Sequence, residues 1–139
     1  MKKVFVFAML WMVSFTVQAQ TEEELITATL LDYIEGTANG QPERIAKAFH
    51  PDLNLYAIRD GALAIRSGKE YIEFFTDGRK RDRIGKILMI DYENDAAMAK
   101  VEIGNSKNTT PYIDYFMLLK LNGKWTVIHK MYTKREASN

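Results

Sequence analysis

One carboxylate, Asp114, stands inside an otherwise apolar run, Tyr112-Ile113-Asp114-Tyr115-Phe116-Met117. If that run is buried, the carboxylate must be paired or held protonated, because an isolated buried charge is too costly to keep. Asp114 is therefore the first candidate for proton transfer or ligand anchoring, beside the plainer role of hydrogen-bonding a loop at a sheet rim. The second candidate is His129, whose ordinary pKa suits proton transfer near neutral pH.

Whether the two meet depends on one turn, at Asn122-Gly123. A two-residue type I′ turn sets Leu121 opposite Lys124 and Phe116 opposite His129, and makes His129 a diagonal neighbour of Asp114 on the face that carries Trp125. A three-residue loop with Gly123 in a bulge shifts the parity and gives Asp114 the company of Ile128, Lys130 and Tyr132. The sequence is compatible with both registers.

Other chemistries find no support. Cysteine is absent and histidine occurs only at positions 50 and 129, so no zinc-ligand spacing exists and no metal is expected. No serine lies in a Gly-x-Ser-x-Gly setting, and no phosphate loop or dinucleotide fingerprint follows a strand, so no cofactor is expected. His50 precedes Pro51, and its expected place is a helix end, where it complements the dipole.

The elements that must position Asp114 follow from spacing and punctuation. Leu25, Ile26, Leu30, Tyr33 and Ile34 recur at helical intervals behind Thr21 and three glutamates, predicting a capped amphipathic helix stopped by Asn39-Gly40. Pro42 opens a second helix with Ile45, Ala46 and Phe49 on one side, closed by His50-Pro51. Residues 53–58 and 62–65 read as a hairpin around Asp60-Gly61, and Ser67 leads into a third helix bearing Tyr71, Ile72, Phe74 and Phe75. Four strands follow, at 84–93, 96–104, 110–121 and 124–133, with links short enough for a consecutive antiparallel sheet. The basic run Arg79-Lys80-Arg81-Asp82-Arg83 has two readings, an anionic-ligand patch and a solvated loop; short charge runs favour the loop, and the run is assigned no function. Helices first and a meander last is an α+β pattern, with a curved sheet wrapped around the early helices.

Both faces of the strand at 110–121 are apolar, whereas an antiparallel strand with one wet face should alternate. The helices can cover one face. A second copy of the sheet in a homodimer is the expected cover for the other, with Tyr115, Met117 and Ile128 as contacts.

Residues 1–19 carry Lys2 and Lys3, an apolar run and a Val17-Gln18-Ala19 cleavage site, the three parts of a secretory signal peptide. The run ends too early to span a bilayer. A single domain at 20–139, exported to the periplasm or the medium, is the expected product. Cleavage turns 19 basic and 18 acidic residues into 17 and 18, a near-neutral balance that argues against a nucleic-acid partner, and no membrane partner is expected of the mature chain.

The runs Asp32-Tyr33-Ile34-Glu35-Gly36-Thr37 and Ala48-Phe49-His50-Pro51-Asp52, with residues 114–120 leading into Asn122-Gly123-Lys124-Trp125, resemble the nuclear transport factor 2-like (NTF2-like) superfamily. Within it they are similar to the putative lumazine-binding group. The resemblance implies a cystatin-like cone, three N-terminal helices packed in a curved antiparallel sheet. Ketosteroid isomerase shares this superfamily, and its oxyanion hole pairs a tyrosine with a protonated aspartic acid. By resemblance Tyr33 and Asp114 occupy those two places. The general-base place falls on Ala57, whose methyl group can abstract no proton, and the nearest carboxylate, Asp60, sits in a hairpin turn.

The resemblance therefore implies a small-molecule-binding pocket floored by Tyr33 and Asp114, with Tyr56, Phe75, Phe116, Trp125 and His129 as further lining. Two rival readings remain open. One is an isomerase, dehydratase or cyclase that uses Asp114 and His129; the other is a structural or interaction protein whose cone is filled by its own side chains.

Overall fold

The computed structural model describes residues 19–107 and 109–136. The proposed leader at 1–19 thus falls, except for Ala19, outside the described residues.

Helix α1 (Glu22–Asn39) begins at a reciprocal capping box in which Thr21 and Glu24 each bond the other's backbone N–H, and it ends at Gly40 in the left-handed conformation. Pro42 opens α2 (Pro42–Ala48). There the structure departs from the sequence reading. Phe49, His50 and Pro51 open strand β1 (Phe49–Arg59) instead of closing the helix, so His50 is not a helix-end residue. The physical reason is the residue before proline, which is driven out of the helical region into extended backbone.

Strand β2 (Ala62–Ser67) returns through Asp60-Gly61, both at positive φ, and a second capping box, Ser67 with Glu70, starts the short α3 (Gly68–Glu73). Phe74 and Phe75 lie just beyond that helix, although Phe75 is buried. Strands β3 (Ile84–Glu93), β4 (Ala96–Gly104), β5 (Tyr112–Leu121) and β6 (Lys124–Lys134) are the remaining elements among the described residues.

The six strands form one open sheet in the order β2-β1-β6-β5-β4-β3. All neighbours are antiparallel except β1 and β6, which run parallel, so the sheet is not antiparallel throughout. That pairing joins the first hairpin to the meander and places Leu55 beside Lys130. The helices fill one side of the sheet. Ile26, Leu30 and Tyr33 of α1 pack with Val101, Phe116 and Val127 in the core, each removed from water and each adding about 1.5–3 kcal/mol by burial.

The last hairpin combines features of both registers considered from sequence. Asn122 and Gly123 both have positive φ, the signature of a type I′ turn, and Leu121 faces Lys124. The ladder then slips by one residue, with Leu118 opposite Val127 but Met117 opposite His129, leaving Ile128 as an extra residue. This bulge inverts the parity beyond it. Phe116 consequently faces Lys130 and Asp114 faces Tyr132, while His129 turns to the other side of the sheet.

Candidate functional site

Asp114 is held on β5 with Phe116 and Leu118 on the helix-covered face, and it is 2 % exposed. Both of its oxygens are engaged. Tyr33 on α1 donates its hydroxyl to Oδ2 at 2.7 Å, and Lys130 on β6 brings its ammonium to 3.1 Å from Oδ1. Since the Tyr33 proton goes to Asp114, the Tyr33 oxygen accepts: Tyr71 of α3 lies 3.2 Å away and Nη2 of Arg83 donates from 3.4 Å. Arg83 also donates through Nε to the Thr37 hydroxyl at 3.3 Å.

Lys130 is 3 % exposed and ringed by aromatics, its Nζ lying 4.5 Å from the Tyr132 ring centre and 5.4 and 5.5 Å from those of Tyr33 and Tyr71. Cation–π attraction and the Asp114 carboxylate oppose the loss of hydration. Burial nevertheless pushes the ammonium below its usual value, with Asp114 pulling the other way. The Tyr33 phenol is pushed well above its usual value by burial first and by the Asp114 charge second. Burial likewise raises Tyr71.

A titration test follows. The folded state keeps the Tyr33 and Tyr71 protons where an unfolded chain loses them, so their contribution to stability is present below the ordinary phenol value of 10.0 and is lost as pH rises through the folded values. At about pH 11, one unit above an ordinary phenol, converting Tyr33 to Phe is expected to leave the ultraviolet phenolate absorbance of the folded protein unchanged. A clear drop would show that the Tyr33 phenol ionises.

The residues singled out from sequence separate into three places. Tyr33, Asp114 and Phe116 come together, with the Tyr33 and Phe116 rings 5.1 Å apart. Phe75 reaches this group through Tyr71, at 5.2 Å between ring centres. Trp125 is buried on β6 opposite Lys120, well away from the Asp114–Tyr132 pairing, and there its Nε1 donates to Glu22 at 2.7 Å and secures the start of α1. Tyr56 and His129 lie on the opposite face, stacked on each other at 4.5 Å, so the proposed contact of His129 with Asp114 does not form. The bulge at Ile128 is the reason. Lys130 takes the diagonal place beside Asp114 that the simple register assigns to His129.

The neutral-donor arrangement implied by the isomerase resemblance is also altered. Tyr33 spends its proton on Asp114, and Asp114 faces an ammonium rather than an empty pocket. Among the described residues, neither Tyr33 nor Asp114 lines any of five prominent surface clefts. Two of those clefts, of about 190 and 360 Å³, flank the same end of the sheet and share Tyr112 and Lys134. Arg83 and Asp82 line the smaller; Arg59, Ala57 and Tyr132 line the larger, where Ala57 offers only a methyl group. Arg83 and Tyr132 thus connect the enclosed cluster to open clefts. Arg83, Tyr71 and the Lys130 pairing are the parts that reading the sequence did not assign to the site, and the one usable signal was the second register, which named Lys130 and Tyr132.

Three helices lodged against one face of an open six-stranded sheet define the NTF2-like, cystatin-like class. Its solved members include an NTF2-like protein from Shewanella baltica, with a TM-score of 0.73 and 24% identity over 84% of this chain and 95% of that one. Another, from Methylobacillus flagellatus, has a TM-score of 0.71 and 27% identity over 88% and 100%. Within the class the chain belongs to the putative lumazine-binding family, whose family model matches residues 21–133. A curated relative, the aldolase FrzH of a Cladobotryum species, is 26% identical over 113 residues, covering 81% of this chain and 90% of that protein.

Proposed function

We propose that the mature protein is an exported domain that binds a small molecule at the end of the cone where β5 begins and β6 ends. The observation that carries this reading is the buried Asp114–Lys130 pair, linked through Tyr33 to Arg83 beside an open cleft. A buried ion pair gives little net stability over an apolar core, so stability alone does not account for it. Charged groups displaced from their usual pKa beside a cleft mark a functional site. The larger cleft falls within the size range of small-molecule sites. Family membership supports a small-molecule ligand, and lumazine is the natural first probe.

The test is a fluorescence titration of the mature chain with lumazine. Saturable one-to-one binding that weakens about tenfold in Tyr33→Phe, the loss of one hydrogen bond in a buried network, supports the reading. Binding unchanged in that variant would place the ligand elsewhere.

A catalytic reading is favoured by the similarity to FrzH. In it Lys130, not His129, is the basic group beside Asp114. Retro-aldol turnover of a β-hydroxy ketone, lost in Lys130→Met, would support it; equal turnover by the variant would remove Lys130 from the chemistry.

We further propose a homodimer through the uncovered sheet face. That face carries Met117 and Met131 at 49% and 54% exposure beside Ile58, Leu63 and Ile65. Sedimentation is expected to give twice the chain mass for wild type and a single-chain mass for Met117→Glu/Met131→Glu. A wild-type monomer would contradict the proposal.

A further inference from the structure

We propose that the ligand is an anion, and that its carboxylate or equivalent oxyanion sits between Arg83 and Lys134. This rests on the binding reading above and narrows its substrate class. The argument is one of charge balance. Lys130 and Asp114 neutralise each other at 3.1 Å, which leaves Arg83 over. Its hydrogen-bond partners, the hydroxyls of Thr37 and Tyr33, are uncharged, and among the described residues no carboxylate lies within ion-pair distance of it. A guanidinium keeps its proton in a protein, so this charge cannot be relieved by titration.

The surroundings add positive charge. Lys134 lines the same cleft as Arg83, with its ammonium 5.6 Å from the centre of the Tyr112 ring and no ion-pair partner among the described residues. Lys134 also lines the neighbouring cleft, where Arg59 donates to the Tyr132 hydroxyl at 3.0 Å. The one acid in either lining is Asp82. Its two oxygens are taken by the Ser106 N–H at 2.9 Å and the Ser106 hydroxyl at 2.6 Å. It is thereby tied to the β4–β5 loop rather than to Arg83.

Three cations therefore border two neighbouring clefts, which share Tyr112 and Lys134 and whose single carboxylate is committed elsewhere. A planar guanidinium matches a carboxylate in two parallel hydrogen bonds, and partial removal from water strengthens them. Beside these charges, Tyr112 and Tyr132 stand edge to face at 6.1 Å, an apolar wall suited to a flat ring. The chemistry that fits is a small aromatic or conjugated acid, its charge toward Arg83 and its ring against the tyrosines.

Calorimetric titration of the mature protein with benzoate, benzamide, 2-naphthoate and 2-naphthamide at constant ionic strength tests this. Each acid is expected to bind at least about tenfold tighter than its amide, as suits a charge-assisted hydrogen-bond pair. Arg83→Met is expected to erase the preference, and Lys69→Met, on the exposed start of α3, to retain it. Lys134→Met provides a second variant on the exposed rim, expected to reduce the preference if Arg83→Met fails to fold. Amides that bind as tightly as acids would overturn the anion proposal while leaving small-molecule binding intact. A preference that survives both cleft variants, or no saturable binding by any of the four probes, would also overturn it; the lumazine titration then decides the broader reading separately.

Discussion

Lys130→Met is expected to destabilise the protein by about 3–5 kcal/mol, because it strands the Asp114 carboxylate in a site that is almost wholly shut from water. For a domain whose total stability is roughly 5–15 kcal/mol, that is a large fraction. Asp114→Asn should also be costly, since it leaves the Lys130 ammonium among aromatic rings without its counter-charge. The double variant should be more stable than the sum of the single losses allows, since neither partner is left charged, and Tyr33 can still donate to the amide oxygen of the new Asn. Denaturant unfolding of the four proteins gives the coupling directly. Losses that simply add would show that the two groups do not form the pair.

Gly40→Ala is expected to cost about 2–5 kcal/mol, combining 1–2 for a left-handed L-residue with 1–3 for overpacking. Gly40 has φ of 63°, and a Cβ there would meet the Gly78 carbonyl carbon and the Arg79 oxygen at 2.6 Å. These are backbone atoms, so the loop rather than a side chain must move. That loop docks on α1 through the Arg81 N–H to Ala38 oxygen bond at 2.7 Å and runs directly into Arg83. Ligand binding should therefore weaken along with stability. Gly123→Ala is the control: its φ is 79°, but nothing lies within 4 Å of the added methyl, so only the conformational part is expected. Equal losses at the two positions would mean that the close approach at Gly40 contributes nothing.

The elements were legible in the sequence where local chemistry determines them. Thr21, Gly40, Pro42 and Ser67 mark helix ends, and Asp60-Gly61 and Asn122-Gly123 form the hairpin turns expected of them. What local pattern could not reveal is pairing at a distance. The parallel contact of β1 with β6 is made between segments that no turn connects, and His50-Pro51 belongs to that strand rather than to the helix before it.

The site shows the same division. Asp114 was conspicuous because its neighbours are apolar, and Tyr33 entered by resemblance. Their immediate partners depend on a bulge at Ile128, a residue with no glycine or proline to announce it. One inserted residue exchanges His129 for Lys130 and turns a possible histidine–carboxylate pair into an enclosed ion pair. Arg83 was hidden differently, at the end of a basic run that reads from sequence as a solvated loop, although Arg81 in that run is itself paired with Asp77. Its position immediately before β3 lets its side chain reach back to Tyr33 and Thr37 on α1.

The most direct measurement for the binding account is native mass spectrometry of the mature protein purified from its own cells or medium, with the released molecule identified after denaturation. The account predicts a small anionic molecule at one per chain that is absent from a folded Arg83→Met preparation. A protein that emerges empty and also fails to take up lumazine or the aromatic acids would contradict it, and would leave a cone filled by its own side chains.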